Sequence, residues 1–323
     1  MILDRKFYIQ KTLGQGGSSK VFLGLDSENH KFAIKILRKD KGYTYEHGAN
    51  MVTKEHTLLQ NLKEHPNILK SYHASWEGTI DKEGETEKEI MYNILEFAEH
   101  GSLSFFIRTT GHLEEEIVRF QFNQIANACQ FIHSQDYAHL DMKLENILLD
   151  KYFNTKIADL GAAVNVAKTK GRTYHRRGTI LYMAPEVLEL KSGQTFDAFA
   201  ADVYSLGVWL YVMLIGEFPN FNNCPSAAST NFSERDNSDD MDVDYKDSIS
   251  QKRWELISEG AKDLILQMTS LDPKQRPTII QVLEHPWLQK LFDEYLPQLV
   301  FQEMEARKDF IISSYQKSKT SSH

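Results

Sequence analysis

The sequence predicts an α+β chain in two lobes, a small antiparallel β-sheet lobe carrying one helix and a larger, mainly α-helical lobe. Three observations carry this. Phe7 to Leu13, Val21 to Asp26 and Lys31 to Leu37 are short β-rich runs separated by Gly, Ser and Asn, the pattern of an antiparallel meander. Val52 to Lys63 places Glu55, Leu58, Leu59 and Leu62 along one helical stripe. From Leu103 onward the periodicity is mostly helical, with Glu114 to Ser134 the longest amphipathic run. A chain of 323 residues has room for two such units, each with its own core.

In the third strand Phe32, Ile34 and Ile36 face one way and Ala33 and Lys35 the other. A small residue and a cation thus share a face on which a flat ring and its phosphates can both sit. Glu77 to Glu89 reads as a polar hairpin tip before a strand at Ile90 to Leu95. A hinge at 96–100 separates a β-rich lobe, 1–95, from a helical lobe, 101–290. Ile147-Leu148-Leu149 and Thr155-Lys156-Ile157 read as a short hairpin. Val203 to Ile215 is the most apolar stretch; it falls short of the roughly 18 residues of a membrane span and reads as a buried helix. Ser258 to Thr269 and Thr278 to Glu284 are helices, the second following Pro277. The tail, 291–323, has helical stretches and a polar end whose role the sequence does not reveal.

Hydrophobic residues at 41% and charged residues at 25% suit a soluble globular protein. Two cysteines, Cys129 and Cys224, are too few for a disulfide scaffold or a thiolate metal site, which fits a reducing compartment, cytoplasmic with the nucleus left open. The first residues lack a secretory apolar run, and Ile2 stands where myristoylation needs glycine. Residues 222–244 carry −5 of the net −8 and few large apolar groups, so a solvated, disordered insert is expected. The remainder is too weakly charged for nucleic-acid binding by bulk electrostatics. Asp240, Asp242 and Asp244 hint at a calcium loop, but Tyr245 and Gln251 occupy its obligatory Gly and Glu positions.

Gly14-Gln15-Gly16-Gly17-Ser18-Ser19-Lys20-Val21 lies between two strands, where backbone N–H groups can approach a phosphate with no Cβ in the way. A Walker-type loop fails at Ser19 and Val21. Further on stands His139-Leu140-Asp141-Met142-Lys143-Leu144-Glu145-Asn146, then Asp159-Leu160-Gly161 and Ala184-Pro185-Glu186, all preceded by Ala33-Ile34-Lys35. Asn146 and Asp159 follow Asp141 by five and eighteen residues. In this order and spacing the chain resembles the eukaryotic Ser/Thr protein kinase family over nearly its whole length.

The resemblance implies a bilobal kinase fold, ATP and Mg²⁺ as cofactors, protein substrates, and no nucleic acid or membrane. It implies that Lys35 grips the α- and β-phosphates and Glu55 orients it, Glu46 lying before the apolar stripe. The nucleotide site would comprise Leu13, Gly14, Gln15, Gly16, Gly17, Ser18, Ser19, Val21, Ala33, Glu96, Ala98 and Leu148. Asp141 would take the hydroxyl proton, Lys143 would screen the phosphoryl group, Thr179 would bridge the two, and Asn146 and Asp159 would hold the metal. Gly178 to Glu186 resembles the substrate-docking segment of Ser/Thr kinases. Glu186 would pair with Arg276, Asp202 would tie down the catalytic-loop backbone, and His139 would pack beneath the metal-binding loop. The hinge Leu95-Glu96-Phe97-Ala98 looks like that of the calcium/calmodulin-dependent and energy-sensing group.

Three departures stand out. Ser19 replaces the third loop glycine, Leu140 replaces the Arg that precedes the catalytic Asp, and His175 stands where the activation-loop Thr is usual. Phosphate acceptor and receptor are missing together, so activity independent of phosphorylation at that site is expected. Thr169, Thr173 and Tyr174 remain alternative acceptors beside Arg172, Arg176 and Arg177. Glu145 favours basic residues near the substrate hydroxyl, although Val212 stands where a partner acid is usual. Two rival readings stay open: a pseudokinase-type binding module and a small-molecule kinase on the same scaffold. Oligomeric state is not readable.

Overall fold

The structure is a computed structural model describing residues 1–38, 42, 44–81, 88–219, 250–290 and 293–320. The acidic segment 222–244 lies outside the described residues. The chain folds into two units. The first comprises Met1–Gly101 together with Leu148–Lys151 and Lys156–Gly161; the second comprises Ser102–Ile147, Tyr152–Thr155 and the rest.

Unit one is an antiparallel sheet of β1 (Ile2–Leu3), β2 (Phe7–Gln15), β3 (Ser19–Leu25), β4 (Lys31–Leu37), β5 (Ser71–Asp81) and β6 (Lys88–Glu96), crossed by helix α1 (Tyr45–Asn61). Strand order is β1-β2-β3-β4-β6-β5, and Ile2 pairs with both Tyr8 and Asp81, which closes the sheet. The alternation along β4 holds. Phe32, Ile34 and Ile36 join Leu3, Ile9, Tyr92 and Ile94 in one apolar cluster, and Ala33 joins another. Two expectations need correcting. Helix α1 starts at Tyr45, seven residues before the apolar stripe, because Thr44 caps it by accepting from His47 N at 3.2 Å. The polar tip is shorter than Glu77 to Glu89, since the ladder continues to Ile80 opposite Lys88. The polar side chains there hide a paired backbone.

Beyond β7 (Gly101–Ser102), unit two is built on α2 (Leu103–Thr110), α3 (Glu115–Ser134), α4 (Pro185–Leu188), α5 (Ala198–Ile215), α6 (250–256), α7 (Glu259–Met268), α8 (Ile279–Glu284), α9 (Pro286–Gln289) and α10 (Leu296–Thr320). Small pairs decorate it: β8 (Tyr137–Ala138) with β11 (Val164–Asn165), and β12 (Arg172–Thr173) with β13 (Phe196–Asp197). The anticipated hairpin forms as β9 (Ile147–Leu149) and β10 (Thr155–Ile157).

Helix α5 is five residues longer than its apolar run, since Asp197 caps it through Phe199 N and Ala200 N at 3.0 Å. At 18 residues and mean hydropathy 1.7 it is long and apolar enough to span a membrane, yet 78% of it is buried inside the unit. It is the central core helix. Ser258 and Thr278 cap α7 and α8 as their sequence signals require, the latter in a capping box with Gln281. The tail is a 25-residue helix, α10. Its Leu296, Val300, Met304 and Ile311 are buried, and Arg307 donates to Thr110 Oγ1 at 2.7 Å and His112 O at 3.0 Å, where α2 ends.

Candidate active site

In unit one, the β2–β3 hairpin aligns Gly14 with Val21 and Gln15 with Lys20, and Gly16 N donates to Ser19 O at 2.9 Å. Gly16, Gly17 and Ser18 make the turn. A Cβ on Gly14, Gly16 or Gly17 would meet nothing nearer than Ser19 O at 3.8 Å. The hairpin's own packing therefore does not demand these glycines. What they offer is unobstructed backbone N–H.

Ala33 packs with Leu69, Leu95, Ala98 and Ala158, and Val21 and Leu148 lie against them. Four residues expected around the nucleotide, Val21, Ala33, Ala98 and Leu148, thus share one apolar patch; Leu13 is exposed on β2 outside it. Glu96, at the end of β6, has its carboxylate engaged. Oε1 pairs with Lys156 Nζ at 2.7 Å and Oε2 accepts from Lys70 N at 3.1 Å. Lys156 Nζ also donates to Pro66 O at 2.9 Å.

Lys35 on β4 meets Glu55 on α1. Its Nζ lies 3.0 Å from Oε1 and 2.8 Å from Oε2, and 2.9 Å from Asp159 Oδ1. Desolvation works against the Lys35 charge, but the carboxylates of Glu55 and Asp159 outweigh it and hold the ammonium well above its ordinary pKa. Glu55 is only 3% exposed and also accepts from Asn93 Nδ2 at 3.2 Å. Asp159 adopts φ +56°, a left-handed conformation that short acidic side chains tolerate.

In unit two the centre is Asp202 on α5, which is 0% exposed. Its Oδ1 accepts from Leu140 N at 2.7 Å, and its Oδ2 accepts from His139 N at 2.7 Å and lies 2.9 Å from His133 Nε2. These bonds hold Leu140 at φ +61°, a strained setting for a branched residue. The next residue, Asp141, is thereby presented. Its Oδ1 accepts from Thr179 Oγ1 at 2.9 Å, its Oδ2 lies 2.8 Å from Lys143 Nζ, and Lys143 Nζ donates to Thr179 Oγ1 at 2.9 Å. The triangle expected of Asp141, Lys143 and Thr179 closes. Asn146 Nδ2 donates to Asp141 O at 3.0 Å and Oδ2 at 3.2 Å, so its amide oxygen, a donor type hard cations accept, takes no part in these bonds. Asp159, in unit one, likewise offers carboxylate oxygen, the donor type Mg²⁺ takes.

Around the triangle, Glu186 and Arg276 make a bidentate pair, 2.7 Å at each contact, and Arg276 lies 4.9 Å from the Tyr204 ring. Glu145 accepts from Ser104 Oγ at 3.1 Å and from Tyr182 Oη at 3.3 Å, while remaining exposed. Burial first, and then that carboxylate, push the Tyr182 hydroxyl up, so it stays a donor.

The segment carrying the alternative acceptors corrects the sequence reading in part. Thr173 is buried and its hydroxyl accepts from His175 N at 3.1 Å. Arg172 is engaged by Thr195, and Arg177 donates to Ala162 O at 3.3 Å. Tyr174 is 67% exposed.

Sequence reasoning passed over Lys156, Asn93 and His133. Lys156 carried no sequence signal of its burial; its strand has no exposed position. Cys129 Sγ lies 3.4 Å from His133 Nε2, and with Asp202 these atoms sit within 4.8 Å of one another. Burial, with the Asp202 charge adding, pushes the Cys129 thiol well up, so it is a poor metal ligand, and the cluster reads as a hydrogen-bonded support for the loop.

Comparison with known proteins places these residues in context. The model of the protein kinase domain matches residues 7–288. The chain is 33% identical over 297 residues to CBL-interacting protein kinase 31 of Oryza sativa subsp. japonica, covering 90% of this chain and 60% of that protein. It is 34% identical over 292 residues to maternal embryonic leucine zipper kinase of Xenopus laevis, covering 88% and 39%. It is 32% identical over 320 residues to CBL-interacting serine/threonine-protein kinase 26 of Arabidopsis thaliana, covering 97% and 65%. The chain therefore spans less than two thirds of the length of each of these relatives.

Proposed function

Because this chain belongs to the protein kinase family, we propose that it is an active serine/threonine kinase using Mg-ATP and protein substrates. The observation that carries this reading is the closed triangle of Asp141, Lys143 and Thr179. Mg-ATP supplies the transferable γ-phosphoryl group. Asp141 receives the proton of the substrate hydroxyl as the new O–P bond forms and ADP leaves, and Lys143 balances the charge that gathers there. Lys35, oriented by Glu55, holds the α- and β-phosphates, and the patch of Val21, Ala33, Ala98 and Leu148 takes the purine. By the kinase pattern of the sequence, Asn146 and Asp159 are the residues that would ligate the metal, which would neutralise phosphate charge.

Activity on this reading does not wait for phosphorylation at the usual activation-loop position, which His175 occupies. Leu140 is apolar and only 7% exposed, so it receives no phosphate, while Arg172 and Arg177 already have partners. Phosphatase-treated protein should keep its rate; a fall of more than about tenfold contradicts this. Labelled ATP with a generic basic protein tests the whole reading. Label should appear on Ser or Thr, and Asp141→Asn and Lys35→Met should each abolish it while the chain remains folded. Transfer retained in both variants refutes the assignment. Nucleotide binding without transfer identifies a binding module, and label confined to small molecules identifies the third reading.

A further inference from the structure

We propose that Asn93 is a positioning residue for the Lys35–Glu55 pair: its side-chain amide nitrogen fixes the Glu55 carboxylate so that both oxygens face Lys35. This rests on the kinase reading above. Asn93 stands on β6 directly opposite Lys35 on β4, so the two side chains leave the sheet on the same face. That is the face beneath α1, which brings Glu55. Asn93 Nδ2 lies 3.2 Å from Glu55 Oε2, the oxygen that Lys35 approaches more closely, at 2.8 Å. An ionised carboxylate only accepts, so the amide must turn its nitrogen toward Glu55.

The consequence falls on the other end of the amide. Asn93 is 2% exposed, and its Oδ1 has no hydrogen-bond partner among the described residues. Buried amide oxygens are nearly always satisfied, and leaving one bare costs stability. Tyr92 and Ile94 turn to the other face of the sheet, into the apolar cluster with Ile34, so Asn93 is the buried polar side chain on the Lys35 face of β6. The sheet pairing does not use the amide, since Asn93 is aligned with Lys35 and Ala74 through its backbone. Glu55 does use it. Its carboxylate has three donor contacts, two from Lys35 and one from Asn93, and only the last can set the carboxylate's rotation independently of the ammonium it must orient. A supporting group of this kind holds a binding group in its working geometry.

The test separates support of the fold from support of the pair. Asn93→Leu is expected to weaken MgADP binding in calorimetry about tenfold, and to lower kcat/KM for ATP by a like factor, the size of one hydrogen bond to a charged group. The peptide KM should stay within twofold, and Tm should equal or exceed that of the wild-type chain. In a Glu55→Gln background the same substitution should change MgADP affinity less than twofold. Asn93→Ser, which loses the reach without adding bulk, should reproduce the loss if the Leu variant folds poorly. Unchanged MgADP affinity in the single variants overturns the proposal. So does an equal loss in the Glu55→Gln background, or weaker binding accompanied by a lower Tm in both variants. A wild-type chain that binds MgADP but transfers no phosphate refutes the kinase reading, while the calorimetric comparison still judges Asn93.

Discussion

Gly178→Ala should cripple turnover while sparing nucleotide affinity. Gly178 has φ +110°, and a Cβ added there would lie 2.4 Å from the backbone oxygen of Leu140. Ordinary contact begins at 3.4 Å, so the two backbones must part by about 1 Å. Leu140 cannot readily yield. Its own N–H and that of His139 are held at 2.7 Å by Asp202, which is buried in the core helix. The displacement therefore falls between the immediate neighbours of the clashing pair, Asp141 and Thr179, whose side chains meet at 2.9 Å. A misplacement of about 1 Å at a reacting group costs on the order of 10²-fold in rate. The backbone penalty of forcing Ala to positive φ adds roughly 1–3 kcal/mol against stability, a few degrees of Tm. Steady-state phosphorylation of a peptide, calorimetric titration with MgADP and a thermal melt read the three quantities separately. We expect kcat to fall about 100-fold and nucleotide affinity to change less than about threefold. A kcat within about fivefold of wild type would refute the steric argument.

Three further outcomes follow from the same geometry. Arg276→Met leaves the Glu186 carboxylate without its bidentate partner and should lower unfolding free energy by about 3 kcal/mol in denaturant titration; a loss under about 1 kcal/mol would mean the pair is screened. Asp202→Asn turns one of the two accepting oxygens into a donor nitrogen and should accelerate hydrogen exchange at the His139 and Leu140 amides, so unchanged protection there contradicts the pinning role. His56, held below its ordinary 6.5 by burial and then by His73, takes up its proton at lower pH in the fold than in the unfolded chain. Its contribution is therefore intact above pH 6.5 and is lost as pH falls beneath it, so the wild-type denaturation midpoint should drop between pH 7.5 and about 5.5 more steeply than that of His56→Asn. Exposed His30, raised by its hydrogen bond to Asp26, acts in the opposite sense in both proteins and cancels from the comparison. Parallel profiles would count against the assignment to His56.

Much of this architecture was legible because local chemistry and tertiary need agree. Ser258 and Thr278 announce helix starts that the structure keeps, and the two faces of β4 separate as alternation requires. The Lys35–Glu55 partnership could be read because Glu55 lies on the α1 stripe. Where the reading stopped short, the deciding partner is distant in sequence. The first turns of α1 are polar, so only the Thr44 cap marks them. Asn93 looks like an interruption of an apolar strand until Glu55 is brought to it, and Lys156 looks like a surface cation until Glu96 and Pro66 surround its ammonium. Gly178 was noticed for the motif it belongs to; the reason it cannot carry a side chain is an oxygen 38 residues upstream.

The discontinuity of unit one bears on how the protein is made. Ala158 belongs to the apolar cluster around Ala33, Leu148 leans on that cluster, and Lys156 neutralises Glu96. Ile157 is stitched by backbone hydrogen bonds to Asn67 and Leu69. A chain emerging from the ribosome therefore reaches Gly101 with every strand of its amino-terminal sheet synthesised but the apolar cluster around Ala33 unfinished. Completion waits for Gly161, by which time α2 and α3 have already been synthesised. A fragment cut at Gly101 should behave as a loosened intermediate, and appending residues 148–161 through a short flexible linker should restore its cooperative melting.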